Sequence, residues 1–147
     1  FYTGLALGDS TPATLNPDEG QLVELADEKL GGELPIAQWE ELRKNGKYGL
    51  FRMFLSVVPT DAQDTIPKDI LSQVSAGYLD DQIKATAEQI KNFPYPIFIQ
   101  LEFADSLTQK RMHSGKRKDV VAFMDAWEKI VGLIRREGVE QVTWVLR

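Results

Sequence analysis

Apolar and polar positions along the chain follow two alternating periods. Five short apolar runs have the length and the β-branched and aromatic content of strands. They span residues 2–7, 34–39, 49–57, 97–105 and 141–146. Three segments between them repeat apolar residues every three or four positions, as helices do. They span residues 16–31, 80–92 and 119–138, and the polar stretches at 59–77 and 106–118 are predicted to be loops. This order predicts an α/β fold in which parallel strands alternate with helices through right-handed crossovers.

The run at 97–105 carries one carboxylate, Glu102, close to its end. Because side chains alternate along a strand, Leu101 and Phe103 are expected to point away from Glu102. Ligands of α/β proteins bind beyond the carboxyl ends of parallel strands, so Glu102 is a candidate general acid or base. The alternative is that Glu102 pairs with an arginine or caps the next helix. Arg52, inside the third predicted strand, is the expected ion-pair partner.

Composition indicates a single globular domain over residues 1–147. Hydrophobic residues make up 43% of the chain, which is enough for a core, and no apolar run approaches the roughly 20 residues of a membrane span. The net charge is −5 and the only basic cluster, at 110–118, is short, which argues against nucleic acid as a partner. With no cysteine and one histidine, His113, the sequence predicts no metal and no cofactor. The chain opens on Phe1 without an initiator Met or a signal-like segment, so its start is expected to be processed or excised.

Further candidate ligand-binding residues lie at or near predicted strand ends. Asp9 follows the first strand, and Asp105 follows the run that carries Glu102, so either carboxylate could face the same crevice. Capping of a turn or a helix is the alternative for both aspartates. Trp39 and Trp144 are candidate stacking platforms for sugar rings, with packing in the core as the alternative.

Four segments carry a resemblance to a known family. They are residues 77–83, 96–103, 122–131 and 135–145. In order and spacing they resemble glycoside hydrolase family 26, the β-mannanase type. The resemblance implies a (β/α)8 TIM barrel, a β-linked mannan or glucan as substrate and an extracellular location. It also implies that Glu102 is the acid/base residue.

Two departures from that family bear on activity. Leu101 stands where the mannanase members have His directly before the acid/base Glu. The family's nucleophile lies on a strand well past the one that matches residues 142–146, so the chain corresponds to the N-terminal portion of the barrel, with about five strands. Retaining hydrolysis needs two carboxyl groups about 5 Å apart. The chain alone is therefore expected not to complete the reaction.

Two other interpretations stay open beside the hydrolase. A non-catalytic carbohydrate-binding or structural module would keep the barrel scaffold without its chemistry, and its partner would still be an oligosaccharide or polysaccharide. An unrelated flavodoxin-like domain is the third, although Gly4 and Gly8 do not form a phosphate-binding loop after the first strand. In a barrel fragment the last strand needs a cover. A missing C-terminal half-barrel or a second copy of the chain, as a homo-oligomer, would supply it.

Overall fold

The computed structural model describes residues 22–45, 50–60 and 66–146. In chain order the strands are β1 (Leu22–Glu24), β2 (Glu28–Lys29), β3 (Leu50–Val57), β4 (Ile97–Phe103) and β5 (Val142–Val145). The helices are α1 (Ile36–Asn45), α2 (Ile70–Ala76), α3 (Asp80–Ile90), α4 (Ser106–Met112) and α5 (Arg117–Arg136). The predicted strand at 2–7 and the candidate Asp9 lie outside the described residues.

The strands form one parallel sheet in the order β1-β3-β4-β5, with β2 beside the later part of β3. The order follows the chain without reversing. Right-handed crossovers that step in one direction place their helices on the same face of the sheet, as in a barrel, whereas a doubly wound sheet reverses and carries helices on both faces. The predicted α/β class with parallel strands is confirmed, and this arrangement is consistent with part of a barrel.

One face of the sheet lies in the hydrophobic core. Met53, Leu55 and Val57 of β3 and Ile99 of β4 are fully buried, and they belong to the same core cluster as apolar side chains from α1, α2, α3 and α5. These strand residues alternate with side chains of the opposite face, as the period of two requires. That opposite face, here called the open face, carries Glu102.

An extra residue interrupts the pairing of the first two strands with β3. Glu24 is the partner of Arg52, and Glu28 is the partner of Leu55. Glu28 comes four residues after Glu24, whereas Leu55 comes three residues after Arg52, so the extra residue lies between β1 and β2. Such an insertion reverses which side chains face the core. Glu24 therefore shares the open face with Arg52, and Lys29, the partner of Ser56, returns to that face after the interruption.

Two predicted elements at the start of the chain are wrong. The segment 16–31 was predicted to be a helix, but its described part contains β1 and β2. Its apolar residues at 22, 23, 25 and 30 suit a helix stripe equally well, and pairing with the long strand β3 decides the matter. The segment 34–39 was predicted to be a strand, but α1 begins at Ile36, directly after Pro35, which the first turn of a helix tolerates.

The two predicted loops each contain a short helix. Asp69 caps α2 by accepting a hydrogen bond from the Ser72 amide, and Asp105 caps α4 in the same way from the Thr108 amide. Both helices have seven residues and few apolar positions, so their periodicity is weak. The predicted helices at 80 and 119 and the strands at 49, 97 and 141 are confirmed to within two residues.

Strand β5 lies at one end of the strand order, and within the described ranges no further strand pairs with its outer edge. Across the described ranges, the helices lack the combination of length and apolar character that spanning a bilayer requires.

Candidate functional site

Strand β4 places Glu102 at the carboxyl end of the sheet. The strand forms because a run of apolar, β-branched and aromatic residues lies between β3 and β5 and is buried on its core face. Leu101 and Phe103 are 8% and 2% exposed, whereas Glu102 between them is exposed. The predicted alternation at this strand end is confirmed.

Three strands contribute side chains to the open face around Glu102. Ser56 of β3 is the Cα partner of Glu102, and Lys29 of β2 is in turn the partner of Ser56. Neighbouring strands are about 4.8 Å apart, so the three residues lie in one row about 10 Å long. Asp27 lies two residues before Lys29, in the three-residue segment that joins β1 and β2.

The carboxyl group of Glu102 has a raised pKa. Partial desolvation by the surrounding protein is the main cause, and the negative charge of Asp27 adds to it. The pKa of Glu28 is also raised, by desolvation and by the charge of Asp27. A carboxyl group that holds its proton closer to neutral pH can donate it to a reacting atom, which is the property that a general acid needs.

Glu102 borders a cavity of about 340 Å³, here called the Glu102 cavity. The cavity lies where the carboxyl end of β4 meets β5, α4 and α5. Its lining is formed by Gln100, Leu101, Glu102, Phe103, Ala104, Gln109, Met112, Phe123, Trp127, Val145 and Leu146. The lining combines aromatic rings with amide groups, which is typical of a small-molecule site, and Glu102 joins it at the strand end from the open face, opposite to Leu101 and Phe103.

Helix α4 supplies one wall of the cavity through Gln109 and Met112. The cap of the helix, Asp105, lies three residues after Glu102 and accepts the Thr108 amide at 3.0 Å. Gln109 reaches back and donates its side-chain amide to the carbonyl of Phe103, the last residue of β4. Asp105 is therefore a helix cap, which was the alternative to a substrate-binding role.

Helix α5 supplies the facing wall through Phe123 and Trp127. Phe123 packs edge-on against Phe103, with ring centroids 5.5 Å apart and an angle of 77° between the rings. Trp127 is half-buried, so part of its ring lines the cavity and part packs against the core. The amphipathic stripe of α5 predicts both residues as core, and the partial exposure of their rings follows only from the position of the helix beside the end of β4.

Arg52 does not pair with Glu102, contrary to the prediction. Its side chain is 7% exposed, and its guanidinium forms an ion pair with Glu24 of β1. The reason is register: Arg52 is the partner of Phe98, four residues before Glu102, or about 13 Å along the strand. The carboxylate that affects Glu102 is Asp27, which the erroneous helix prediction for 16–31 had hidden.

The two predicted sugar platforms do not border the cavity. Trp39 is 2% exposed and packs edge-on against Phe93, with ring centroids 5.5 Å apart, so its faces are closed to a ligand. Trp144 is half-buried, and as the partner of Ile99 it packs against the core. Core packing, the alternative for both residues, is what the structure has. His113, at the C-terminal end of α4, is exposed and also lies outside the lining.

Within residues 22–45, 50–60 and 66–146, no three His, Asp or Glu side chains are placed to hold a metal ion. The chain was also compared with known proteins. No family model matches it, and no curated protein is similar enough to count as a relative.

Proposed function

We propose that the Glu102 cavity is a carbohydrate site of glycoside hydrolase type, in which Glu102 is the acid/base residue acting on a β-linked mannan or glucan. The observation that carries the proposal is the position of Glu102: a carboxyl group with a raised pKa, at the carboxyl end of a buried parallel strand, on the border of a cavity of about 340 Å³. The resemblance of residues 96–103 to the acid/base segment of glycoside hydrolase family 26 supports the same role.

The chemistry of the lining suits a sugar. The rings of Trp127 and Phe123 can pack against the C–H face of a pyranose, and the amides of Gln100 and Gln109 can exchange hydrogen bonds with its hydroxyl groups. In the proposed reaction the nucleophile carboxylate that the family resemblance implies on a later strand attacks the anomeric carbon, and protonated Glu102 donates its proton to the glycosidic oxygen as the bond between that oxygen and the carbon breaks. Water then displaces the nucleophile from the anomeric carbon, and ionised Glu102 accepts the proton that this water loses.

A complete hydrolase needs a second carboxyl group, about 5 Å from the first for retention of configuration and about 6.5 to 9.5 Å for inversion. The family resemblance implies a nucleophile on a later strand. Within the described residues the carboxylate whose charge reaches Glu102 is Asp27. Asp105, though closer in sequence, is occupied as the cap of α4.

A non-catalytic carbohydrate-binding module is the second candidate. The capping role of Asp105 favours it, because this removes the nearest carboxylate in sequence from the chemistry. The same cavity would then bind a sugar chain without cleaving it, and Glu102 would accept hydrogen bonds from sugar hydroxyls.

The experiment tests mannohexaose and cellohexaose with three proteins. They are the unmodified protein, Glu102→Gln and the matched control Glu140→Gln, which changes an exposed glutamate before β5. Binding is measured by calorimetry and cleavage by chromatography of the products. We expect one of the two sugars to bind all three proteins. Cleavage is assayed in a protein that also contains the later strand with the nucleophile, where Glu102→Gln should abolish it and Glu140→Gln should leave it unchanged. Binding without cleavage in that protein would select the second candidate. Equal cleavage by Glu102→Gln, or no binding of either sugar, would overturn the hydrolase proposal.

A further inference from the structure

Arg111 lies outside the Glu102 cavity but joins the two helices that form its walls. Arg111 is on α4, the helix that contributes Gln109 and Met112 to the cavity. Its Nε donates to Asp119 Oδ1 at 3.0 Å, and Asp119 is in the first turn of α5, the helix that contributes the aromatic wall. One guanidinium therefore spans the two sides of the cavity.

The same guanidinium also ties α4 to a third helix. Its Nη1 donates to Asp69 Oδ1 at 2.8 Å, and Asp69 is the cap of α2. A second link runs parallel to it, since the buried hydroxyl of Thr108 on α4 accepts the Ile70 amide at 3.1 Å. Helix α4 is thus held against α2 at two points and against α5 through Arg111.

The acceptors of Arg111 are themselves fixed. Asp119 is 8% exposed, and its other oxygen accepts the Ser114 hydroxyl at 2.6 Å. Asp69 is held by both the amide and the hydroxyl of Ser72, at 3.0 and 2.9 Å. A planar guanidinium whose separate nitrogens meet carboxylates held in this way restrains both distance and orientation, and a lysine ammonium cannot reproduce that geometry.

We propose that Arg111 is a positioning residue that sets the width of the Glu102 cavity by holding α4 at a fixed distance from α5. The proposal rests on the proposed function for its consequence, since the cavity must bind sugar for its width to affect affinity. The geometric part does not depend on that function. Arg111 is not one of the residues that line the cavity, so it acts through Met112 on its own helix and through Trp127 on the facing one.

The test compares Arg111→Met and Arg111→Lys with a matched control, Lys129→Met. Lys129 on α5 forms an ion pair with Asp80 of α3 at 3.3 Å, so its loss removes a link of the same kind between two helices, with neither residue in the cavity lining. NMR spectra without ligand follow the indole N–H of Trp127 and the methyl group of Met112. The two signals are assigned with Trp127→Phe and Met112→Leu. The affinity for mannohexaose or cellohexaose, whichever binds, is measured on the same samples.

In Arg111→Met we expect both signals to shift or broaden and the sugar affinity to fall by about 3-fold to 10-fold, the usual size of coupling between residues in contact. Arg111→Lys, which keeps the charge and folds most readily, should show smaller changes in the same signals. Lys129→Met should leave both signals and the affinity unchanged. Unchanged signals in both Arg111 variants, or the same changes in Lys129→Met, would overturn the positioning role. If no sugar binds the unmodified protein, the proposed function fails, and the two NMR signals still decide the role of Arg111.

Discussion

Glu24 and Arg52 form an ion pair across β1 and β3, on the face of the sheet that also carries Glu102. The two partners differ in environment, since the Arg52 side chain is 7% exposed and that of Glu24 is 53% exposed. The buried Nε of Arg52 has no hydrogen-bond partner. Removal of Glu24 would therefore leave a buried charge without compensation.

This asymmetry predicts that Glu24→Gln lowers the free energy of unfolding by about 1 to 2 kcal/mol, less than for a fully buried pair because Glu24 is half in solvent. The double variant Glu24→Gln/Arg52→Met should recover most of that loss, because methionine fills the same space without a charge to desolvate. Urea unfolding of both variants provides the measurement. A double variant less stable than Glu24→Gln would contradict the argument.

The Asp69 carboxylate makes the stability of the folded protein depend on pH in the acidic range. Burial opposes its ionisation, but hydrogen bonds from Ser72 and the charge of Arg111 outweigh burial and lower the pKa of Asp69 below its ordinary value. A lowered pKa in the folded state contributes stability that is present above the unfolded pKa, near 3.9, and is lost as the pH falls through the folded pKa.

We therefore expect the unmodified protein to lose its stability advantage over Asp69→Asn as the pH falls below about 4. Asparagine keeps a cap oxygen for the Ser72 amide but does not titrate in this range. The urea midpoint of both proteins, measured between about pH 2 and 7, gives the difference directly. A difference that is constant over this range would show that Asp69 does not carry the acid dependence.

Because Trp39 is buried, its replacement is expected to affect the stability of the fold and not the affinity for sugar. Its ring lies in the core against Phe93, so Trp39→Ala should lower the free energy of unfolding by about 3 to 5 kcal/mol. The molecules of Trp39→Ala that remain folded should bind sugar with unchanged affinity. Trp127→Ala is the matched variant at a half-buried tryptophan, and it should weaken sugar binding at a smaller cost in stability. Calorimetric titration at a temperature where both variants are folded would distinguish them, and a specific loss of affinity in Trp39→Ala would restore it as a platform.

Local pattern predicted the long, strongly periodic elements of this fold. β3, β4 and α5 each bury a continuous face, so their periods of two or of three to four are visible in the sequence. β1 and β2 have three and two residues, and they exist because β3 offers them backbone partners. Such pairing depends on residues far along the chain and leaves little local pattern.

The same distinction applies to the candidate site. The position of Glu102 at a strand end could be predicted from the run that contains it. The charge of Asp27 beside it, the ion pair of Arg52 with Glu24 and the aromatic wall at Trp127 could not, because each depends on the register or docking of separate elements. For Trp39 the sequence predicted a site residue that the structure does not place in the site. Its ring was expected at a strand end, but it belongs to a helix and packs into the core.

The last prediction concerns the coupling between Asp27 and Glu102. The pKa of Glu102 is raised by desolvation and by the charge of Asp27, so Asp27→Asn should lower it without changing the burial of Glu102. A raised carboxyl pKa means that the folded state loses stability as the pH rises above the unfolded pKa, near 4.3, so Asp27→Asn should also reduce that loss. NMR titration of the Glu102 side-chain carboxyl carbon measures the first effect and urea unfolding the second. Asp81→Asn, an exposed aspartate on α3, is the control and should leave the Glu102 titration unmoved. If Asp27→Asn leaves the titration in place as well, desolvation alone raises the pKa, and Asp27 has no part in the electrostatics of the site.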